Sequence, residues 1–312
     1  GLGAIPATFN THTILAETAL REAEKFHWDA LTTVHGCPAN SHGEIQRLII
    51  VAMGKMGGHE LNPSSDIDLV FFYEDDGLTT GKDPISNHDF FNKLGKLIIT
   101  SLNDYTEEGI VFRVDMRLRP FGSQGLLVTP LESFEDYLVT HGLDWERYAW
   151  LKSRVVLGPA VWINSLIEPF VYRKYLDFNI FTSLRNIKKK IGQDMQKKIN
   201  AGDIKVGRGG IRTLEFIVQS FQLVRGGKDR SLRCRGFMEA LTQLKNHKLI
   251  PNKIAKTLHD SYIFFRHLEH RLQYVDDAQT HKLPVKIEDK ALLAVAMNCK
   301  SWTVLEKNIH HH

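Results

Sequence analysis

Residues 51–73, VAMGKMGGHELNPSSDIDLVFFY, carry the strongest pattern in this sequence. The run 67–73 is β-branched, aromatic and apolar, which predicts a strand. Side chains two apart on a strand point to one face, so Asp66 and Asp68 present two carboxylates side by side. Two close carboxylates repel, and a divalent cation offsets the repulsion. Carboxylate oxygens suit Mg2+ or Mn2+, and Mg2+ commonly takes one or two of them together with substrate phosphates.

The residues before the pair sharpen this reading. The apolar run 45–53 predicts a second buried strand, ending in Gly54-Lys55-Met56-Gly57-Gly58. Glycine lets a backbone approach a phosphate closely, and Lys55 supplies positive charge. The spacing departs from G-x-x-x-x-G-K-[ST], so this is no P-loop. A strand, a glycine turn and then D-x-D on the next strand resembles the polymerase-β-type nucleotidyltransferases. The bland alternative is a turn with two solvated aspartates, and Gly-Lys, Gly-Gly and D-x-D coinciding between two apolar strands weigh against it.

Residues 110–120, IVFRVDMRLRP, alternate with a period of two. Phe112, Val114, Met116 and Leu118 face one way; Arg113, Asp115, Arg117 and Arg119 face the other. A surface row of salt bridges explains this pattern, and such rows contribute little. The functional alternative makes Asp115 a third acid of the cation site and sets the arginines to bind phosphate, which guanidinium suits.

Elsewhere the pattern is mostly helical. Residues 12–34 predict a helix whose face carries Ile14, Leu15, Ala19, Ala23, Phe26, Ala30 and Leu31. Residues 75–88 read as a loop, 90–102 as an amphipathic helix, and 132–157 as helical, with Glu146, Arg147, Lys152 and Arg154 either on a solvated face or functional. Leu157-Gly158-Pro159 reads as a boundary. A lysine-rich helix over 184–199 reads as an exposed face, because aromatics are not interleaved with it. Gly207-Arg208-Gly209-Gly210 then feeds a helix over 211–225. That is a tight turn or an anion site at a helix N-terminus. Glu215 sits among apolar neighbours and calls for a partner such as Arg212, three positions earlier. Further helices are expected near 238–247, 254–275 and 289–298. The organisation expected is a catalytic unit over 1–157, an all-helical unit over 158–309, and a tag remnant at His310-His311-His312.

Composition excludes some classes. The formal net charge of +4 is too small to argue for nucleic acid by itself. No apolar run suffices to span a bilayer, and the first residues lack the features of a signal peptide. Cys37, Cys234 and Cys299 are odd in number and form no C-x-x-C, which suits a reducing cytoplasm.

Four blocks together resemble one family: M-G-K-M-G-G-H-E-L-N-P-S-S-D-I-D-L over 53–69, V-F-R-V-D-M-R-L-R-P-F-G over 111–122, D-W-E-R-Y-A over 144–149, and G-G-I-R-T-L-E-F-I-V-Q-S-F-Q-L-V-R-G-G over 209–227. They are similar, in this order, to glutamine-synthetase adenylyltransferase, a bifunctional enzyme of two related halves with opposite activities. The likeness runs from about residue 45 to at least 280. Thr213 and His59 depart from the residues common there. The segment 209–216, with 170–175 and 183–185, resembles the adenylyl-removing half rather than the half that attaches AMP. The resemblance implies an α+β fold, a polymerase-β-like nucleotidyltransferase sheet with flanking helices followed by an all-helical bundle. It implies phosphorolysis of the AMP–tyrosine bond of glutamine synthetase, giving ADP. Asp66, Asp68 and Asp115 would act with Mg2+ or Mn2+. Gly54, Lys55, Gly57, Gly58, Ser65, Arg117, Arg119, Gly209, Gly210 and Glu215 would bind phosphate or nucleotide, with the segment around 209–215 closing the nucleotide side of a cleft. Implied partners are adenylylated glutamine synthetase, inorganic phosphate and ADP, with a PII-type signal protein and glutamine as regulators. Attachment of AMP from ATP, or a non-catalytic regulatory module, are the alternatives.

Overall fold

The computed structural model describes residues 5–173, 182, 184–186, 188–189, 202–207, 209–274 and 280–312. Arg208, Tyr175, Ser183 and most of the 184–199 segment, including Lys190, Lys197 and Lys198, lie outside them; Lys188 and Lys189 are helical and exposed. The chain divides into two compact units. One comprises Phe9–Leu61 and Ser65–Val171. The other comprises Asn62–Ser64, residues 5–8 and the described residues from Tyr172 onward.

The first unit is built on a mixed sheet. Strand β1 (Ile49–Ala52) lies antiparallel to β2 (Ile67–Tyr73), with Ala52 opposite Leu69. Two short strands, β3 (Val114–Asp115) and β4 (Val128–Pro130), run parallel to β2, at its start and its end respectively. Strand β5 (Arg154–Leu157) pairs antiparallel with β1. Odd-numbered residues of β2 (Ile67, Leu69, Phe71, Tyr73) enter a core with Leu20 and Trp28 of α1 (Ile5–His35). The same core takes Phe90, Phe91, Leu94 and Ile98 of a helix over Asn87–Asn103. Even-numbered residues face the opposite way: the Phe72 ring lies 4.5 Å from Phe134 and 6.4 Å from Trp150. Asp66 and Asp68 share that parity, at the start of the strand.

Numbered in chain order, the helices of this unit are α1, a single turn α2 (Gly54–Gly57), α3 (Asn87–Asn103), α4 (Leu131–Thr140), α5 (Asp144–Trp150) and α6 (Ala160–Val171). The second unit contains α7 (Ile211–Arg225), α8 (Phe237–Asn246), α9 (Asn252–Gln273), α10 (Ile287–Ala296) and α11 (Trp302–His311). Its core joins Leu214 and Val218 to Leu241, Leu244, Tyr262, Phe265 and Leu268. Thus a mixed sheet with flanking helices is followed by an all-helical bundle, as a nucleotidyltransferase-type fold with a helical domain requires.

Several local expectations are corrected. The buried stripe of α1 is Phe9, Thr13, Ala16, Leu20, Glu24 and Trp28, while Ile14, Leu15, Phe26 and Ala30 are exposed. Two polar residues inside the stripe hid it from a purely apolar pattern: Thr13 donates to Phe9 O at 2.8 Å, and Glu24 accepts from Arg47 at 3.0 and 3.1 Å. The first strand begins at Ile49 rather than at residue 45. The strand over 110–120 shrinks to two residues, because Arg119 N–H turns back onto Met116 O at 3.3 Å. The segment 132–157 is two helices and then β5, not continuous helix; its last four residues, R-V-V-L, are extended by pairing with β1. Among the described residues, no helix is long and apolar enough to cross a membrane.

Candidate active site

The register of β2 against β3 sets Ile67 opposite Val114 and Asp68 opposite Asp115. Asp66 stands one residue before β2, held by Arg113, whose Nε donates to Asp66 Oδ1 at 3.0 Å. Arg117 Nε donates to both oxygens of Asp115, at 3.0 and 2.9 Å, and Arg117 N–H donates to Oδ1 at 2.8 Å. These bonds hold the Asp115 carboxyl below the usual carboxylate range. Arg117 is held protonated foremost by Asp115, with Asp68 and Asp66 contributing.

The glycines before the acids serve different ends. Gly54 has φ +53°, and a Cβ there would lie 2.5 Å from Asp68 Oδ2. Only glycine leaves that carboxylate its place, since L-residues rarely adopt this φ and the added carbon would collide with it. At Gly57 a Cβ would meet Lys152 O at 1.9 Å, so this glycine answers to backbone packing. Gly58 N–H closes the turn onto Gly54 O at 3.1 Å. Lys55 reaches across the loop, its Nζ donating to Ser65 Oγ at 3.1 Å.

The arginines separate. Arg117 keeps its side chain 79% exposed while paired with Asp115. Arg119 donates instead to three carbonyls of its own loop, Met116 O at 3.0 Å, Ser123 O at 3.1 Å and Gly125 O at 3.3 Å. It clamps the turn that ends β3.

Among the described residues, no group of three or more His, Cys, Asp or Glu is arranged to hold a metal ion. Asp66 and Asp115 are turned to Arg113 and Arg117. The donor set nevertheless fits a cation of the Mg2+ type, which needs only one or two protein carboxylates beside substrate phosphate. Asp68 lies against the Gly54 cradle and opposite Asp115, so the fold supplies that pair.

Sequence reading alone did not reveal the supports beneath. Glu60 accepts from Lys152 Nζ at 2.6 Å, both buried. Arg154 donates to Glu17 at 2.6 Å and to Met56 O at 3.2 Å, tying α1 to the glycine turn. Glu146 accepts from Tyr137 OH at 2.6 Å and from Leu143 N–H at 2.9 Å. Burial, and then the hydrogen bond to Glu146, pushes the Tyr137 phenol up to about 12. Arg147 donates to Phe170 O and Val171 O, both at 3.1 Å. Glu146, Arg147 and Lys152 are buried, so the solvated face is excluded.

In the helical unit, Gly209 has φ +78° and Gly210 caps α7 in an extended conformation. Glu215 accepts from Arg266 of α9 at 3.1 Å, a partner from a distant helix. Arg266 also donates to Glu269 at 2.8 Å and to Tyr262 OH at 3.0 Å. Glu269 accepts from Asn62 Nδ2 at 2.6 Å, and Asn62 Oδ1 accepts from His270 Nε2 at 3.0 Å. Burial lowers the pKa of Lys205, which lies within reach of Glu269. The signal available in sequence was a polar stripe, Tyr262, Arg266, Glu269, His270 and Gln273, at helical spacing within an otherwise apolar-faced helix.

Two family models match the chain. Residues 1–164 match glutamate-ammonia ligase adenylyltransferase, and residues 185–312 match the PII-uridylyltransferase GlnD. Three proteins each described as a bifunctional glutamine synthetase adenylyltransferase/adenylyl-removing enzyme are similar along it. That of Nitrosomonas eutropha is 44% identical over all of this chain and 34% of its own length. The Aromatoleum aromaticum protein is 42% identical over all of the chain and 33% of its own length. The Neisseria meningitidis serogroup A protein is 44% identical over 97% of the chain and 34% of its own length. The chain thus spans about a third of the length of the curated relatives it matches.

Proposed function

This chain belongs to the glutamate-ammonia ligase adenylyltransferase family, and we propose that it is the adenylyl-removing half of such an enzyme. Its reaction is phosphorolysis of the AMP–tyrosine bond on glutamine synthetase. An oxygen of inorganic phosphate attacks the AMP phosphorus. The bond from that phosphorus to the tyrosyl oxygen breaks, and the tyrosine leaves with the proton released by phosphate. The products are ADP and unmodified glutamine synthetase.

The observation that carries this reading is the pairing of Asp68 with Asp115 beside Gly54, with Arg117 exposed at its edge. Asp68 and Asp115, with Asp66 beside them, would hold Mg2+ or Mn2+. When bound, the cation neutralises charge on the entering and leaving oxygens. The chain's own residues do the rest. The Gly54–Gly58 turn brings backbone within reach of a phosphate, Lys55 and Ser65 brace the loop before Asp66, and Arg117 offers a two-point fork to the attacking phosphate. An anionic nucleophile nearing an anionic phosphodiester is repelled, and a fixed guanidinium offsets that repulsion. Gly209, Gly210 and Glu215 are assigned to the nucleotide. A PII-type protein and glutamine are the regulators this reading carries.

The test incubates the protein with adenylylated glutamine synthetase and phosphate and measures ADP. ADP that depends on phosphate supports the reading. AMP transfer from ATP instead would make this the attaching half, and neither product would leave a non-catalytic module.

A further inference from the structure

Three residues of the loop that leads into the acid pair, Asn62–Ser64, belong with the helical unit. Asn62 is completely buried and gives both ends of its amide to α9: Nδ2 to Glu269 and Oδ1 to His270. Glu269 is itself buried and fixed by Arg266 at 2.8 Å, and Arg266 is fixed by Glu215 and Tyr262. The loop around it is irregular, with His59 at φ +55°. Irregular backbone has no ladder to hold it, so side-chain bonds set its position. Asn62 is four residues before Asp66 and Ser65 one before it.

We infer that Glu269 and His270 are positioning residues: by clasping both ends of the Asn62 amide they fix the loop that delivers Asp66 and Asp68. This rests on the proposed reaction at those acids. The clasp is specific in kind. An amide offers a donor and an acceptor, and the site pairs the first with a carboxylate and the second with an imidazole N–H. Aspartate at 62 would set two carboxylates together, and alanine would leave Glu269 one donor short. Each substitution removes a buried, partly charge-assisted bond. The match to the PII-uridylyltransferase GlnD begins at residue 185 and contains both Glu269 and His270. The clasp residues therefore sit in a segment matched by a family other than the one that matches the acids.

The test compares wild type with Asn62→Ala, His270→Leu, His270→Gln and Gln273→Leu. Gln273 lies on the same helix, is buried, and among the described residues its side-chain amide has no hydrogen-bond partner. Two readouts are taken: backbone amide exchange over residues 61–68, and kcat and KM for ADP formation. The clasp predicts at least tenfold faster exchange and at least tenfold lower kcat in Asn62→Ala and His270→Leu, with KM for adenylylated glutamine synthetase within about twofold. His270→Gln keeps an N–H and restores most of both, while Gln273→Leu changes neither. Asn62→Ala leaves the helix intact and carries the comparison should His270→Leu not fold. Unchanged exchange and kcat in Asn62→Ala overturn the inference, as does an equal loss in Gln273→Leu. A wild type that forms no ADP would sink the proposed reaction instead, and the exchange readout would still decide the clasp.

Discussion

Asp68 and Asp115 stand directly opposite each other on neighbouring parallel strands, β2 and β3. Neighbouring strands lie about 4.8 Å apart, so residues paired across them are held at a separation the backbone fixes. Two carboxylates at that separation repel unless one is protonated or positive charge lies beside them, and Arg117 provides such charge to Asp115. On the proposed reading, a bound cation would take the place of the arginine.

Replacing Asp68 or Asp115 by Asn keeps the shape and removes the charge. Turnover is expected to fall by at least about a hundredfold, the scale of losing one charge-stabilising group. Neither side chain is in the apolar core, so the melting temperature should stay within a few degrees. Turnover near wild type in either variant would reject the acid assignment.

Gly54→Ala and Gly57→Ala should part company. At Gly54 the new carbon strikes the Asp68 carboxylate, and a left-handed φ costs about 1–2 kcal/mol for a non-glycine residue. The variant should fold and be as inactive as Asp68→Asn. At Gly57 the carbon strikes Lys152 O at 1.9 Å, in backbone that cannot move aside. That variant should lose stability before activity is measured, as calorimetry of the two will show.

Arg117→Ala is expected to raise KM for phosphate, and to lower kcat as well if the contact tightens in the transition state. Arg117→Lys should restore it only in part, because lysine lacks the fork. Arg119→Ala removes three bonds to carbonyls of the turn. It should destabilise that turn, read as faster amide exchange over 116–125. Phosphate kinetics unchanged in Arg117→Ala, with ADP still formed, would remove Arg117 from the phosphate site.

Lys152→Met leaves Glu60 buried without its closest cation. Breaking a buried pair from one side costs about 3–5 kcal/mol, whereas replacing both members by apolar residues is often neutral. Denaturant midpoints should therefore fall in Lys152→Met and recover in the double variant Glu60→Leu/Lys152→Met.

Burial pushes the Cys234 thiol up to about 11 from its ordinary 9.0. A raised folded-state value favours the protonated form, so its contribution to stability is present below about pH 9 and is lost as pH rises through about 11. Alkylation of Cys234 in the folded protein should be slow at pH 8 and rise with pH toward an apparent value near 11. An apparent value near 9 would contradict the burial.

The placement of Asp66 and Asp68 on one side of a strand was legible in the sequence because strand periodicity is local. Ile67–Tyr73 is a strand over the residues its composition indicated, and the parity of Asp66 and Asp68 follows from that alone. The helix over Ile211–Arg225 was equally legible, bounded by a glycine turn and a glycine pair. Which later strand residue meets Asp68 was set by the pairing of β2 with β3. The alternation over 110–120 made Asp115, Arg117 and Arg119 look alike, and a turn at Met116–Arg119 gave them different work. The tertiary structure also decided that Glu60 meets Lys152, that Glu215 meets Arg266, and that Asn62 meets Glu269 and His270. A polar residue in a periodic pattern reads as solvated by default. Whether it is buried depends on a partner brought from far along the chain, and no local period encodes that partner.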